Sequence, residues 1–273
     1  MFLVRSQLGK GALVVVGALV CSTLLIQASD TWRFGSSSLL GSVSDGFGPC
    51  GEHAAQYRID GALVCIDRYE ASADEQCPYP EPNSPDENTS NVTSTQCRIH
   101  SAPGKPPLRF VTFAHAEQYC ARVSKRLLTP REWYVAVRDV HDWSNCVVDS
   151  PYNQPYPTGS VDCANSQGVY DLIGNVWEWV DAQIVEGVYE GRSVPRSGYI
   201  QLADRDGVVL ETGATSSALF DDVYALTNTS GVRGMIRGGY YGSGTDAGRY
   251  VQNLSVPLDI STAGIGFRCV RDL

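Results

Sequence analysis

Residues 168–180, Gly168-Val169-Tyr170-Asp171-Leu172-Ile173-Gly174-Asn175-Val176-Trp177-Glu178-Trp179-Val180, constrain the fold of this chain more than any other stretch. Two tryptophans flank a glutamate directly after a Gly-Asn pair. Tryptophan beside a carboxylate has few inexpensive structural uses. In purely structural terms the stretch reads as a buried strand entered through a polar bend.

The composition, 43% hydrophobic and 19% charged with a net charge of -9, is that of a globular protein and argues against a general nucleic-acid binder. It also provides no electrostatic pull toward anionic lipid. Arg5 and Lys10 precede an uncharged, mostly apolar run over 11–26, and Gln27-Ala28-Ser29 offers a small-residue cleavage site. Residues 1–28 therefore read as a signal peptide or, uncleaved, as a signal anchor; any membrane attachment would run through this segment. Cys21 follows a bulky Val20, which makes a poor lipoprotein signal. Residues 29–49, rich in Ser and Gly, read as a flexible tether. The expected location is exported, periplasmic or extracellular.

Outside the signal lie eight cysteines: Cys50, Cys65, Cys77, Cys97, Cys120, Cys146, Cys163 and Cys269. An even count in an exported chain points to disulfides, although sequence alone does not settle their connectivity. Local spacing suggests Cys50–Cys65, Cys77–Cys97 and Cys146–Cys163. No CxxC pair is present, which argues against zinc.

Residues 64–70 alternate as a half-buried strand does. Residues 72–107, dense in Pro, Asn, Ser and charge, read as a long surface loop, stapled over 74–105 by Cys77 and Cys97. A helical pattern over 111–125 places Phe113, Ala116, Tyr119, Cys120 and Val123 on one face, leaving His115 toward solvent. A second helix starts with Thr129 as N-cap, Pro130 at its first position and Glu132 as the partner of a capping box. Residues 199–202 and 208–211 flank an Asp-Gly turn and read as a hairpin within a variable surface insertion over 183–235. Four Asn-x-Ser/Thr sequons occur, at Asn88, Asn91, Asn228 and Asn253.

Three segments occur in the order of one known family. They are the 168–180 motif, Lys125-Arg126-Leu127-Leu128-Thr129-Pro130-Arg131-Glu132-Trp133, and Ile236-Arg237-Gly238-Gly239-Tyr240 with Gly266-Phe267-Arg268-Cys269. Together they resemble the formylglycine-generating enzyme (sulfatase-modifying factor) family from about residue 65 to the C-terminus, with a poor match over 182–234. The resemblance implies an α+β, C-type-lectin-like fold over 50–273, with long loops and disulfides, among them Cys120–Cys269. It also implies a structural calcium site at the Gly-Asn turn, with Asn175 and Glu178 supplying side chains and Gly174 and Val176 carbonyls; hard cations take such oxygen ligands.

The family's oxidase chemistry needs two cysteine thiolates to hold copper(I), a soft ion that prefers sulfur. The matching positions here are Ser243 and Gly248, and the sequence between 239 and 250 contains no thiol. Copper-dependent formylglycine formation is therefore not expected. The histidines, His53, His100, His115 and His141, are scattered. In the groove that the resemblance places after Gly239, Ser243 and Arg249 are the candidate contacts, with Tyr240, Tyr241 and Tyr250 as a possible aromatic wall. The expected function is a catalytically diverged, calcium-braced module that binds a peptide, glycan or envelope partner. The alternative is an oxidoreductase of the same family working with a different metal.

Overall fold

The strand that begins at Trp177 organises the fold, because successive side chains of a strand point to opposite faces and nearly all of its first half is buried. Trp177 and Trp179 share one face; Glu178 and Val180 share the other. The computed structural model describes residues 48–140 and 143–273. The signal segment, Cys21, the tether up to residue 47, and His141 lie outside the described residues.

The chain runs through β1 (Ala54–Ile59), β2 (Ala62–Asp67), β3 (Ala71–Ala73), helix α1 (Pro85–Thr93), β4 (Ile99–Ser101), helix α2 (Phe113–Arg122), β5 (Arg126–Leu127) and helix α3 (Pro130–Val137). Beyond a long irregular stretch follow β6 (Trp177–Val185), β7 (Val188–Tyr189), β8 (Arg192–Ser193), β9 (Gly198–Ala203), β10 (Val209–Gly213), β11 (Tyr224–Thr227), β12 (Val232–Arg237), β13 (Gln252–Val256), β14 (Ile265–Phe267) and β15 (Cys269–Asp272). One sheet has the order β1-β2-β15-β5; the larger has β10-β9-β11-β13-β12-β6-β7-β8, with β14 also paired to β6; β3 and β4 form a third. The first sheet joins the two ends of the domain, since β15 pairs with β2 and β5.

The two faces of the large sheet bury different cores. On one side Trp133, Val180, Ile184, Ile200, Ala225 and Leu254 pack together. On the other Phe113, Tyr119, Trp179, Ile236, Ile265 and Phe267 do. Trp179 meets Phe113 edge-on at 5.7 Å, and its indole N–H donates to the Val111 carbonyl at 3.0 Å.

The expected capping box is present: the Thr129 side chain accepts from the Glu132 backbone, and the Glu132 carboxylate accepts from the Thr129 N–H. Glu132 also grips Arg126 through two contacts of 2.7 Å, which ties α3 to β5. The hairpin forms as β9 and β10.

Three expectations are corrected. The stapled loop is not irregular. It contains β4 and the short helix α1, which Ser84 caps and Pro85 opens. Segment 183–235 is more than a surface insertion: Ile200, Val208, Val209 and Ala225 are fully buried, so it completes the large sheet and its core. His115 is half-buried rather than solvated, burial lowers its pKa, and its Nδ1 lies 3.2 Å from the Asn88 amide. Asn88 and Asn91 are themselves fully buried, which removes the acceptor asparagine of both sequons from solvent.

Four disulfides form, Cys50–Cys65, Cys77–Cys97, Cys146–Cys163 and Cys120–Cys269. The last ties α2 to β15 across a sequence separation of 149 residues. Among the described residues, no helix is long and apolar enough to cross a membrane. Replacing Cys120 and Cys269 together by alanine is expected to cost roughly 2–5 kcal/mol. Urea unfolding followed by tryptophan fluorescence measures this; an unchanged midpoint would mean that the strand pairing alone secures the C-terminus.

Candidate functional site

Gly174 and Asn175 make the bend before β6, both with positive φ, of 80° and 54°. A side chain at 174 would place its Cβ 2.4 Å from the Val147 carbonyl oxygen, so only glycine fits. Asparagine tolerates the left-handed conformation, and every polar atom of its side chain is used. Oδ1 accepts from the Tyr156 N–H at 2.8 Å, and Nδ2 donates to Glu70 at 2.6 Å and to the Tyr156 carbonyl at 3.2 Å. The second Glu70 oxygen accepts from the Val176 N–H at 3.1 Å.

Two residues on, Glu178 faces Arg268. Its Oε1 accepts from Nε at 2.8 Å and Nη2 at 2.6 Å, and its Oε2 accepts from the Trp133 indole N–H at 2.8 Å. Both partners are 1% exposed. Arg268 spends its other donors on the carbonyls of Asp67, Arg68 and Tyr170, at 3.1, 3.2 and 2.7 Å. All five guanidinium N–H groups are thus satisfied. Charges buried this deeply persist only when paired and hydrogen-bonded; removing one partner would cost roughly 3–5 kcal/mol.

Beside this pair lie two more buried carboxyls. Glu70 is driven well above the usual carboxylate pKa by burial, and next by the charges of Asp171 and Glu178. Asp171 accepts from the Gly159 N–H at 2.7 Å, and burial lifts its pKa to about 6.

Of the calcium expectation at Asn175, Glu178, Gly174 and Val176, the two side chains meet other partners in this arrangement. The side-chain oxygens of Asn175 and Glu178 already accept N–H donors, and the Arg268 guanidinium lies against the Glu178 carboxylate. The Asn175 carbonyl also accepts, from the Tyr241 N–H at 2.9 Å. A calcium ion needs about six to eight oxygens, and among the described residues no group of His, Cys, Asp or Glu is arranged to hold a metal.

The groove candidates have partners within the fold. Ser243 closes a turn: its Oγ accepts from the Tyr240 N–H at 2.9 Å, and its own N–H donates to the Tyr240 carbonyl at 2.9 Å. Arg249 grips Asp221 with two contacts, of 3.1 and 2.7 Å, and lies 5.0 Å over the Trp143 ring. Tyr250 donates no wall to a groove; it packs on Phe220 and meets the Tyr134 hydroxyl at 3.0 Å. Arg237, fully buried, stacks 4.7 Å from the Trp133 ring, and burial pushes its pKa down to about 10.

The open space is on the other face of β6. A cavity of about 540 Å³ is lined by Trp177, Tyr240, Tyr241, Asn253, Ser255 and Ile260, among others, and none of its lining side chains is charged. Tyr240 and Tyr241 meet edge-on at 4.9 Å. Gly264 lets the Tyr240 ring lie on the backbone, since a Cβ there would fall 2.9 Å from the ring.

The bend sets both walls of this cavity: Asn175 holds the Tyr241 N–H, and the Trp177 N–H donates to the Gly264 carbonyl at 2.9 Å. Sequence reading missed the outward face of Trp177 and the clamp at Glu70. The period of β6 is the signal for the first; the second needs a partner 105 residues away.

The profile of the sulfatase-modifying factor enzyme 1-like domain matches residues 50–273. The chain is 27% identical to the inactive C-alpha-formylglycine-generating enzyme 2 of Bos taurus over 144 residues, 43% of this chain and 48% of that protein. It is 28% identical to hercynine oxygenase of Mycolicibacterium smegmatis over 119 residues, 36% of this chain and 28% of that protein. The chain thus spans about half the length, or less, of these curated relatives. The structure of PvdO from Pseudomonas aeruginosa aligns with a TM-score of 0.43 at 18% identity, covering 77% of this chain and 81% of that one.

A carboxyl with a raised folded-state pKa takes up a proton on folding. Between pH about 4, its unfolded pKa, and about 6, Asp171 therefore makes stability fall as pH rises. The stability it contributes is complete below that window and lost above it. Asp171→Asn, which keeps an acceptor for Gly159, should flatten the fall by on the order of 2 kcal/mol. Urea titrations at pH 4, 5, 6 and 7 test this; an identical pH profile in the variant would show that Asp171 has the same pKa folded and unfolded.

Proposed function

Because the chain belongs to the sulfatase-modifying factor family, we propose that it is a member that has left the family's copper chemistry and binds a neutral ligand in the cavity beside Trp177. One observation carries the reading. The cavity combines aromatic rings with amide and hydroxyl groups and has no thiol, imidazole or charged side chain on its wall. Sites that hold small ligands are mostly apolar concavities with a few placed polar groups.

The copper pair is absent from its two positions, Ser243 and Gly248, and all eight cysteines beyond the signal are in disulfides. Neither sulfur chemistry nor general-base chemistry has a group to start from at this cavity. The inactive status in the name of the cattle relative supports the same reading. The four disulfides also support export to an oxidising compartment. The scaffold of this module is braced by the Glu178–Arg268 pair rather than by calcium.

The second reading is an oxidoreductase with a different metal, and the partial similarity to hercynine oxygenase favours it. It would need ligands that the described residues do not gather at one place.

Two measurements decide between them on the exported, disulfide-bonded protein. With copper(I) or iron(II), a cysteine-containing peptide and a thiol reductant, no peptide-dependent oxygen uptake is expected; sustained uptake with conversion of the thiol to an aldehyde would overturn the proposal. In a thermal-shift screen of neutral peptides and sugars, at least one ligand should raise the melting temperature. The shift should vanish in Trp177→Ala; a ligand indifferent to Trp177 would place binding elsewhere.

A further inference from the structure

The binding reading can be taken to a ligand class. We propose that the cavity takes a neutral oligosaccharide, and that its site continues from the cavity over the open half of the large sheet, across Leu226, Tyr224 and Tyr199. The proposal rests on the binding-module reading above.

The cavity floor is a sheet face. Ile236 and Asn253 lie side by side on β12 and β13, and β13 is paired on both flanks, by β12 and β11. At Ile236 and Asn253 themselves the floor presents no unpaired strand edge. An extended peptide gains its affinity by pairing its backbone with such an edge, so the floor offers a peptide side-chain contacts only. A sugar needs what this wall has: flat rings for its C–H faces, and amides and hydroxyls for its hydroxyls. The absence of charge leaves an acidic or basic ligand without a counter-ion.

The register carries the surface onward. Asn253 is the direct partner of Leu226 on β11, and Tyr224, two residues back, is the partner of Tyr199 on β9. Cross-strand partners share a face. The intervening residues Leu254, Ala225 and Ile200 are 0% exposed in the core on the other side. Leu226 and Tyr224 therefore point outward, where they are 45% and 46% exposed. The Tyr199 and Tyr224 rings stand edge-to-face at 5.3 Å.

The solvent face of such a sheet is ordinarily polar. A run of two tyrosines and a leucine beside an aromatic cavity departs from that rule. Tyrosine combines an apolar ring with a hydroxyl and few rotatable bonds, which suits a ligand that is apolar on its ring faces and polar at its rim. From Ile236 to Tyr199 the surface crosses three strand spacings, about 15 Å, longer than one sugar ring. Leu226, Tyr224 and Tyr199 all belong to segment 183–235, which lies between the family motifs.

The test is calorimetric titration of the exported protein with maltose, cellobiose, mannobiose and diacetylchitobiose, and with their homologues up to the hexasaccharides. At least one series should bind more tightly as it lengthens. Tyr224→Ala, an exposed position where folding is not at stake, should weaken the hexasaccharide by about tenfold and leave the disaccharide unchanged. Trp177→Ala should abolish both. Equal weakening of both lengths in Tyr224→Ala, or a lengthening series with no gain, overturns the extended site. If no sugar binds while a neutral peptide does so through Trp177, the oligosaccharide assignment falls and the binding-module reading stands. If neither binds, both fall.

Discussion

The Glu178–Arg268 ion pair is the contact on which the rest of this fold depends. It is fully buried, and its hydrogen bonds reach most of what surrounds it. Through Trp133 it holds α3; through the carbonyls of Asp67, Arg68 and Tyr170 it holds the end of β2 and the loop before the bend. Because β14 pairs with β6 in register with the same glutamate, the C-terminal strands are fixed to the same point. A buried pair is poor evidence of net stabilisation by itself. Its role here is geometric: with all donors and acceptors satisfied, only one mutual arrangement of these elements leaves no charge exposed to an apolar core.

That arrangement explains why the cavity sits where it does. The bend at Gly174 and Asn175 is clamped from one side by Glu70, and its own backbone then sets Tyr241 and Trp177. The brace and the cavity are on opposite faces of one strand, so the polar network can be rigid and closed while the ligand face stays open. In a family whose members share a scaffold, function follows the site and not the fold. Here the positions that would carry copper are a turn serine and a glycine, and the concavity beside Trp177 is neutral and aromatic.

Much of the scaffold was legible in the sequence, because it rests on local rules. The capping box at Thr129 and Glu132, the amphipathic face of α2, the Asp-Gly hairpin and three disulfides all appear as read, while Cys120–Cys269 was implied by the family resemblance. What was not legible depends on distant partners. Arg249 next to a glycine-rich loop resembles a ligand contact until Asp221, 28 residues away, is seen to hold it. Glu178 beside Asn175 resembles a pair of cation ligands until Arg268, 90 residues on, fills the place. The helix α1 was hidden in a Pro- and Asn-rich loop because two of its three buried positions, Asn88 and Asn91, are polar and leave only Val92, which makes no apolar period.

The central claim, that an internal ion pair and not a cation holds the tryptophan motif, is tested most directly by the melting temperature of the disulfide-bonded protein. It is measured by calorimetry after chelation with EDTA and again after calcium is restored in excess. The account predicts the same melting temperature in both conditions, because the side-chain oxygens of Asn175 and Glu178 are already committed to N–H donors. A fall on chelation that calcium reverses would contradict it.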